Sequence, residues 1–275
     1  MWSSVCQVEL DQIYTGLSWV KKEQTPAGPS QSELRHYTDL FTANKNGVIP
    51  KRILVQGQTG VGKSTFVKKL TVDWAKCHGQ NTADDQFAAF NKLQDNEKNE
   101  SQADALRKFD LVVAINLKEV SRCQTLEEVF NRSRLFPKDD KTSTDDLLSY
   151  VLNNQEKVLL VFDGYDEYRS GSEAEAQFGS RSDSPICNIF YGSILRDCTV
   201  LVTTRLSRAD ELEDSADKRA EITGFDSQDQ KAFMKKMLDS ETQVRDVQRF
   251  LSKNGLSDVA RVPLLTLFFC CCGSK

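Results

Sequence analysis

The stretch VQGQTGVGKST, Val55 to Thr65, constrains this chain more than any other. It follows the short apolar run RILV and places Gly57, Gly60 and Gly62, three poor helix formers, where an amphipathic segment is about to begin. Gly57, Gly62, Lys63 and Ser64 fit the spacing GxxxxGK[ST], set between a strand-like run and a helix-like segment that ends near Gly79. The residue types have a physical reason. Phosphate oxygens must be met by several backbone N–H groups at once, and side chains on β-carbons would obstruct that approach. A helix starting near Lys63 adds unpaired N–H groups and the positive end of its dipole. Lys63 is expected to reach the β- and γ-phosphates and Ser64 to ligate Mg²⁺, with Gln58, Thr59, Gly60, Val61 and Thr65 completing the cradle.

Four segments read as buried strands of a parallel sheet: RILVQG, FDLVVAINL, KVLLVFDG and TVLVTTR. Each is apolar without clean alternation, as expected when helices cover both faces. Helical spacing falls between them, at Phe66, Val67, Leu70 and Trp74, at Leu126, Val129 and Phe130, and at Leu147, Leu148 and Val151. This alternation predicts a doubly wound, mostly parallel α/β fold. The polar stretch from Thr82 to Lys108 reads as an exposed insertion, and RSGSEAEAQFGSRSDSP as a second loop. After AEITGF, a short fifth strand, the pattern turns helical, with Asp226 or Ser227 as the first cap and Gly255 as the stop of the second helix. The reading divides the chain into an N-terminal segment, 1–46, a nucleotide-binding α/β domain, 47–224, and the start of a helical domain, 225–275. No internal repeat is apparent.

A phosphate site of this kind needs a carboxylate at the end of a neighbouring strand, and VLLVFDGYDEY supplies Asp163 directly after five apolar residues. Asp163 is the expected outer ligand of the Mg²⁺ shell. Asp166 and Glu167 follow in the same turn, and one of them would polarise an attacking water, Glu167 being the preferred base. TVLVTTR ends in two threonines and Arg205, at the carboxyl edge of the sheet where ligands collect in such folds. Arg205 would read the γ-phosphate; its alternative role is a surface salt bridge.

Composition removes several classes of partner. With 36 basic and 40 acidic side chains in 275 residues the net charge is −4, which gives no electrostatic footprint for nucleic acid or an anionic membrane. Cys6, Cys77, Cys123, Cys187, Cys198, Cys270, Cys271 and Cys272 lack CxxC spacing, and His36 and His78 are the two histidines, so a structural zinc site is not expected. The run VPLLTLFFCCC is too short to span a bilayer and no signal peptide is apparent. The expected location is the cytoplasm, with reduced thiols. The three consecutive cysteines are read as helix core rather than as an acylation or redox site.

Taken together, GQTGVGKST, LLVFDGYDEY, LVTTR, ITGF and VPLLTLFFC resemble the NACHT module of NOD-like receptors, within the signal-transducing P-loop ATPases related to AAA+ proteins. The resemblance covers most of the chain. LDQIYTGLSW looks like the family's segment that closes over the adenine, which implies Tyr14 and Thr15 near the base or ribose, and Pro263 matches a helical-domain proline packed against the nucleotide. The resemblance implies an ATP/ADP switch with slow, Mg²⁺-dependent hydrolysis, coupled to self-association in innate immune or cell-death signalling. A turnover P-loop ATPase or kinase is the alternative, and a module that no longer binds nucleotide is a third. The family's winged-helix domain, sensing repeats and effector domain match no segment of these residues, so the sequence reads as an incomplete gene product or a fragment. Leu264, Leu265, Leu267, Phe268 and Phe269 would then present apolar surface to that remainder.

Overall fold

The computed structural model describes residues 10–25, 28–44, 47–78, 104–133, 135, 143–168 and 184–273. One sheet of seven strands organises them: β1 (Ser18–Thr25), β2 (Gly28–Leu34), β3 (Arg52–Gly57), β4 (Leu111–Asn116), β5 (Val158–Asp163), β6 (Thr199–Thr204) and β7 (Lys218–Gly224). The spatial order is β2-β1-β7-β3-β6-β5-β4. All pairings from β7 to β4 are parallel, and β1 runs antiparallel to both β2 and β7. The expected doubly wound, mostly parallel fold is therefore the observed one.

The short helix α1 (Leu10–Ile13) precedes β1 and α6 (Asp210–Glu213) precedes β7, and the sheet separates two cores. Ile53, Val55, Leu159, Val161 and Leu201 face α2 (Lys63–His78), whose Phe66, Val67 and Leu70 are buried against them. Leu54, Leu160, Phe162, Val200 and Val202 face the other way, toward α3 (Leu126–Arg132), α4 (Thr144–Asn153) and α5 (Pro185–Phe190). Burial on both faces explains why these strands read as continuous apolar runs. Local chemistry marks the helix starts: Thr125 caps α3, and Ser143 forms a reciprocal cap with Asp146 at α4.

Register fixes where the site opens. Val55 pairs with Thr203 and Phe162 with Val202, so β3, β6 and β5 end side by side at one edge. Although β5 precedes β6 in the chain, β6 lies between β3 and β5. Asp163 and the residues after Gly57 are thus set one strand apart, with Thr203 between them.

The hairpin β1–β2 has no counterpart in the sequence reading. SWVKKEQT and GPSQSEL lie at the sheet edge and carry too few apolar residues to announce themselves, yet Trp19 is buried, edge-to-face on Phe66 at 4.8 Å. A 3₁₀ turn, Tyr37–Phe41, follows and sinks Tyr37, Leu40 and Phe41 into the same core. Two further expectations need correction. The stretch read as an exposed insertion ends before residue 104: residues 104–107 form a helical turn that buries Leu106, and Lys108 donates to the Phe41 carbonyl at 2.8 Å. Residues 82–103 and the second polar loop, 169–183, lie outside the described residues. The three consecutive cysteines do not share one environment either. Cys270 is buried while Cys271 and Cys272 are exposed, since successive helix residues point about 100° apart.

After Gly224 the chain turns to α7 (Ser227–Met237), α8 (Glu241–Lys253) and α9 (Pro263–Gly273) around Met234, Val244, Val247, Leu251, Ala260 and Cys270. Asp226 caps α7 reciprocally with Asp229, and Gly255 follows the end of α8 with φ +65°. On α9, Leu264, Leu265 and Phe268 are exposed, whereas Phe269 packs with the small core. Among the described residues, no helix is long and apolar enough to cross a membrane.

Candidate nucleotide site

A cavity of about 400 Å³ opens at the carboxyl edge of the sheet, between it and α9. Its lining brings together Tyr14, Thr15, Thr59, Gly60, Gly62, Lys63, Ser64, Thr65, Asp163, Asp166, Glu167, Arg205 and Pro263, residues that the sequence reading drew from five separate segments. Gly57, Gln58 and Val61 do not line it. Val61 is buried beneath the loop, and the carbonyls of Gly57 and Gln58 accept hydrogen bonds from Lys63 Nζ at 2.8 and 3.0 Å.

The loop leaves β3 and enters α2 through two left-handed positions, Gly60 (φ +76°) and Gly62 (φ +106°), which L side chains rarely adopt. At Gly60 space is also short. A β-carbon there would lie 3.0 Å from Leu264 Cβ and 3.3 Å from Val262 Cγ1, and the Gly60 carbonyl accepts from Leu264 N–H at 3.3 Å. The sequence reading gave this glycine to phosphate alone; the structure adds a backbone contact with the first turn of α9. Pro263 sits in that turn, so its place in the lining follows from the Gly60–Leu264 contact.

The acidic side of the cavity is held by β6. Thr203 Oγ1 donates to Asp163 Oδ1 at 2.6 Å and accepts from Gly164 N–H at 2.9 Å. Gly164 takes a left-handed turn, φ +86°, and a 3₁₀ turn, Tyr165–Glu167, then presents Asp166 and Glu167. Tyr165, buried below them, donates to Glu211 at 3.1 Å. Asp166, its side chain 9% exposed, pairs with Arg205 Nε at 2.5 Å. Arg205 therefore makes an ion pair, as its alternative role required, but one inside the cavity lining. Glu167 stands more open, 3.6 Å from Lys118 Nζ, a partner no sequence signal had marked. Burial draws the Lys63 ammonium below the usual lysine range, opposed chiefly by the Asp166 carboxylate.

At the far end, Ile13, Leu17, Phe225, Phe233, Leu264 and Leu267 make an apolar wall around Tyr14 and Thr15. Burial, seconded by the Asp73 and Asp229 carboxylates, pushes the Tyr14 phenol up to about 12. Thr15 Oγ1 is buried and makes no hydrogen bond among the described residues. Such an atom is costly unless a ligand group meets it, and an apolar wall with one polar contact suits a base or ribose. Among the described residues no three His, Cys, Asp or Glu side chains gather as a metal cage. Mg²⁺ needs none, because it keeps waters and phosphate oxygens around one or two protein ligands, and Ser64 and Asp163 in one cavity fit that demand.

Comparison with known proteins shows the family. The chain is similar to Protein NLRC5 of Ictalurus punctatus, 25% identical over 80% of this chain and 12% of that protein. It is similar to the NACHT, LRR and PYD domains-containing protein 1 homolog of Danio rerio, 28% identical over 86% of this chain and 16% of that protein. With NACHT, LRR and PYD domains-containing protein 10 of Mus musculus it shares 24% identity over 80% of this chain and 28% of that protein. The chain thus spans less than a third of the length of these relatives. The NACHT domain family matches residues 51–241, from the start of the phosphate strand into the helical unit. A P-loop nucleotide site on a mostly parallel sheet, with that match across it, shows that this chain belongs to the NACHT family as a nucleotide-binding module of the NOD-like receptor type.

Proposed function

We propose that this chain is a nucleotide-gated switch that binds ATP or ADP with Mg²⁺, hydrolyses ATP slowly, and couples its nucleotide state to self-association in innate immune or cell-death signalling. The observation that carries this reading is the meeting of phosphate loop, acidic turn, Arg205 and the α9 N-terminus around one cavity. The helical unit touches the phosphate loop through its backbone, at Gly60 and Leu264, so a ligand that moves the loop acts on α9 directly.

The chain's own groups define the roles. Lys63 exchanges its two carbonyl acceptors for β- and γ-phosphate oxygens, a stronger, charge-assisted pairing. Ser64 and Asp163 would hold Mg²⁺, which neutralises charge on the phosphates when bound. Glu167, the more open of the two acids, polarises the attacking water, while Asp166 is engaged by Arg205. Arg205 stands in the same lining and can turn from Asp166 to a γ-phosphate, so ATP and ADP leave that ion pair in different states. The location that goes with this reading is the cytoplasm, a reducing compartment.

The test is the nucleotide that co-purifies with the chain, together with its mass in solution. ADP with a monomer, and a larger assembly with ATP, support the switch. Steady-state turnover above about 1 per second would move the reading to a turnover ATPase or kinase.

A further inference from the structure

We infer that Lys69 and Asp73 of α2 position Tyr14, and through it set the affinity of the cavity for the nucleoside part of its ligand; the inference rests on the proposed contact of Tyr14 with base or ribose. Lys69 Nζ stands 5.6 Å from the centroid of the Tyr14 ring, within cation–π range. It is fixed there by Asp73, one turn along the same helix, at 2.5 Å. Asp73 in turn accepts from the Tyr37 hydroxyl at 2.5 Å, and Tyr37 is buried against Phe66 with ring centroids 5.5 Å apart. Neither Lys69 nor Asp73 lines the cavity. They reach it through Tyr14, whose carbonyl also accepts from Lys236 of α7 at 2.5 Å.

This arrangement has a geometric consequence. The helix that holds Tyr14 at Lys69 begins with Lys63 and Ser64 at the phosphate end. Six residues of α-helix advance about 9 Å, so one rigid element fixes how far the base wall stands from the phosphate grip. Among the described residues, the segment that carries Tyr14 has no strand pairing before Ser18, and both the Lys69 ammonium and Lys236 hold it. Lys69 and Asp73 are thus positioning residues.

Calorimetric titration of the 275-residue chain with ATP and, separately, with inorganic tripolyphosphate tests this. Lys69→Met is expected to weaken ATP about fivefold to tenfold and leave tripolyphosphate unchanged. Lys69→Arg, which keeps a cation over the ring, should recover most of the loss. Tyr37→Phe, which removes one hydroxyl and keeps the buried ring, should shift ATP in the same direction by less, and it serves if Lys69→Met folds poorly. Wild-type ATP affinity in both Lys69→Met and Tyr37→Phe overturns the inference, as does an equal loss of ATP and tripolyphosphate. A wild-type chain that binds tripolyphosphate as tightly as ATP would instead remove the base contact itself, and one that binds neither would remove the proposed function.

Discussion

At one end of the cavity a single short stretch, Thr59, Gly60 and Gly62 to Thr65, forms the proposed phosphate grip; at the other, Ile13, Tyr14, Thr15 and Leu17 meet Phe225, Phe233, Pro263, Leu264 and Leu267 from far along the sequence. The phosphate end is local because its chemistry is main-chain chemistry: N–H groups and a helix terminus can be specified by glycine spacing and one turn of sequence. The base end is an apolar wall, and apolar walls are made by whichever side chains tertiary packing delivers. A phosphate grip can therefore be read in a string, whereas a base wall has to be assembled.

Breaking the phosphate end should have the largest effect. Lys63→Ala is expected to weaken ATP and ADP together by about 100-fold or more, measured with labelled nucleotide, because a charge-assisted contact in a half-buried site is lost. Glu167→Gln separates grip from chemistry: hydrolysis should fall by about 100-fold with binding intact, and unchanged turnover would move the base to Asp166. Gly60→Ala joins the two ends. Its β-carbon would strain a left-handed position and press on Leu264, so denaturant unfolding should show a loss of about 1–3 kcal/mol, with α9 loosened first. The last effect concerns stability alone, in the sheet that carries both ends. Lys218 is buried on β7, donating to the carbonyls of Asp39 and Thr42, and burial draws its pKa down to about 8. The unfolded chain keeps that proton up to about pH 10.5, so this group makes the native state gain stability as pH rises from about 8 to 10.5. Lys218→Met should remove that rise; the tyrosines and cysteines that titrate nearby are common to both proteins and cancel in the difference.

How much was legible follows the same division. Strands β3, β5 and β6 were readable because burial on both faces leaves unbroken apolar runs, and Asp163 because a carboxylate ends one of them. The β1–β2 hairpin was not, since its buried anchor is Trp19 and its charges are met, Lys21 by Glu23 and Lys22 by Glu221 of β7. Thr203 was visible as a hydroxyl at a strand end, but that it binds Asp163 depends on β6 lying between β3 and β5, a crossover no local pattern encodes. Lys118 and Lys69 were invisible for a related reason. Their partners, Glu167 and Tyr14, lie in other segments, and a lone lysine on a loop or helix face looks like any solvated charge.

The Thr203 hydroxyl has one proton to give, and Asp163 takes it. With its acceptor side occupied by Gly164 N–H, the threonine clamps the carboxylate and the turn behind it together. Asp163 consequently has little rotational freedom left to lose when a ligand arrives, and one oxygen already committed, so its other oxygen is the one offered to the cavity. Lys63 begins from the opposite condition, with two hydrogen bonds to break first. Of the two charges proposed to frame the phosphates, the negative one is set in advance, while the positive one must give up existing partners before it engages.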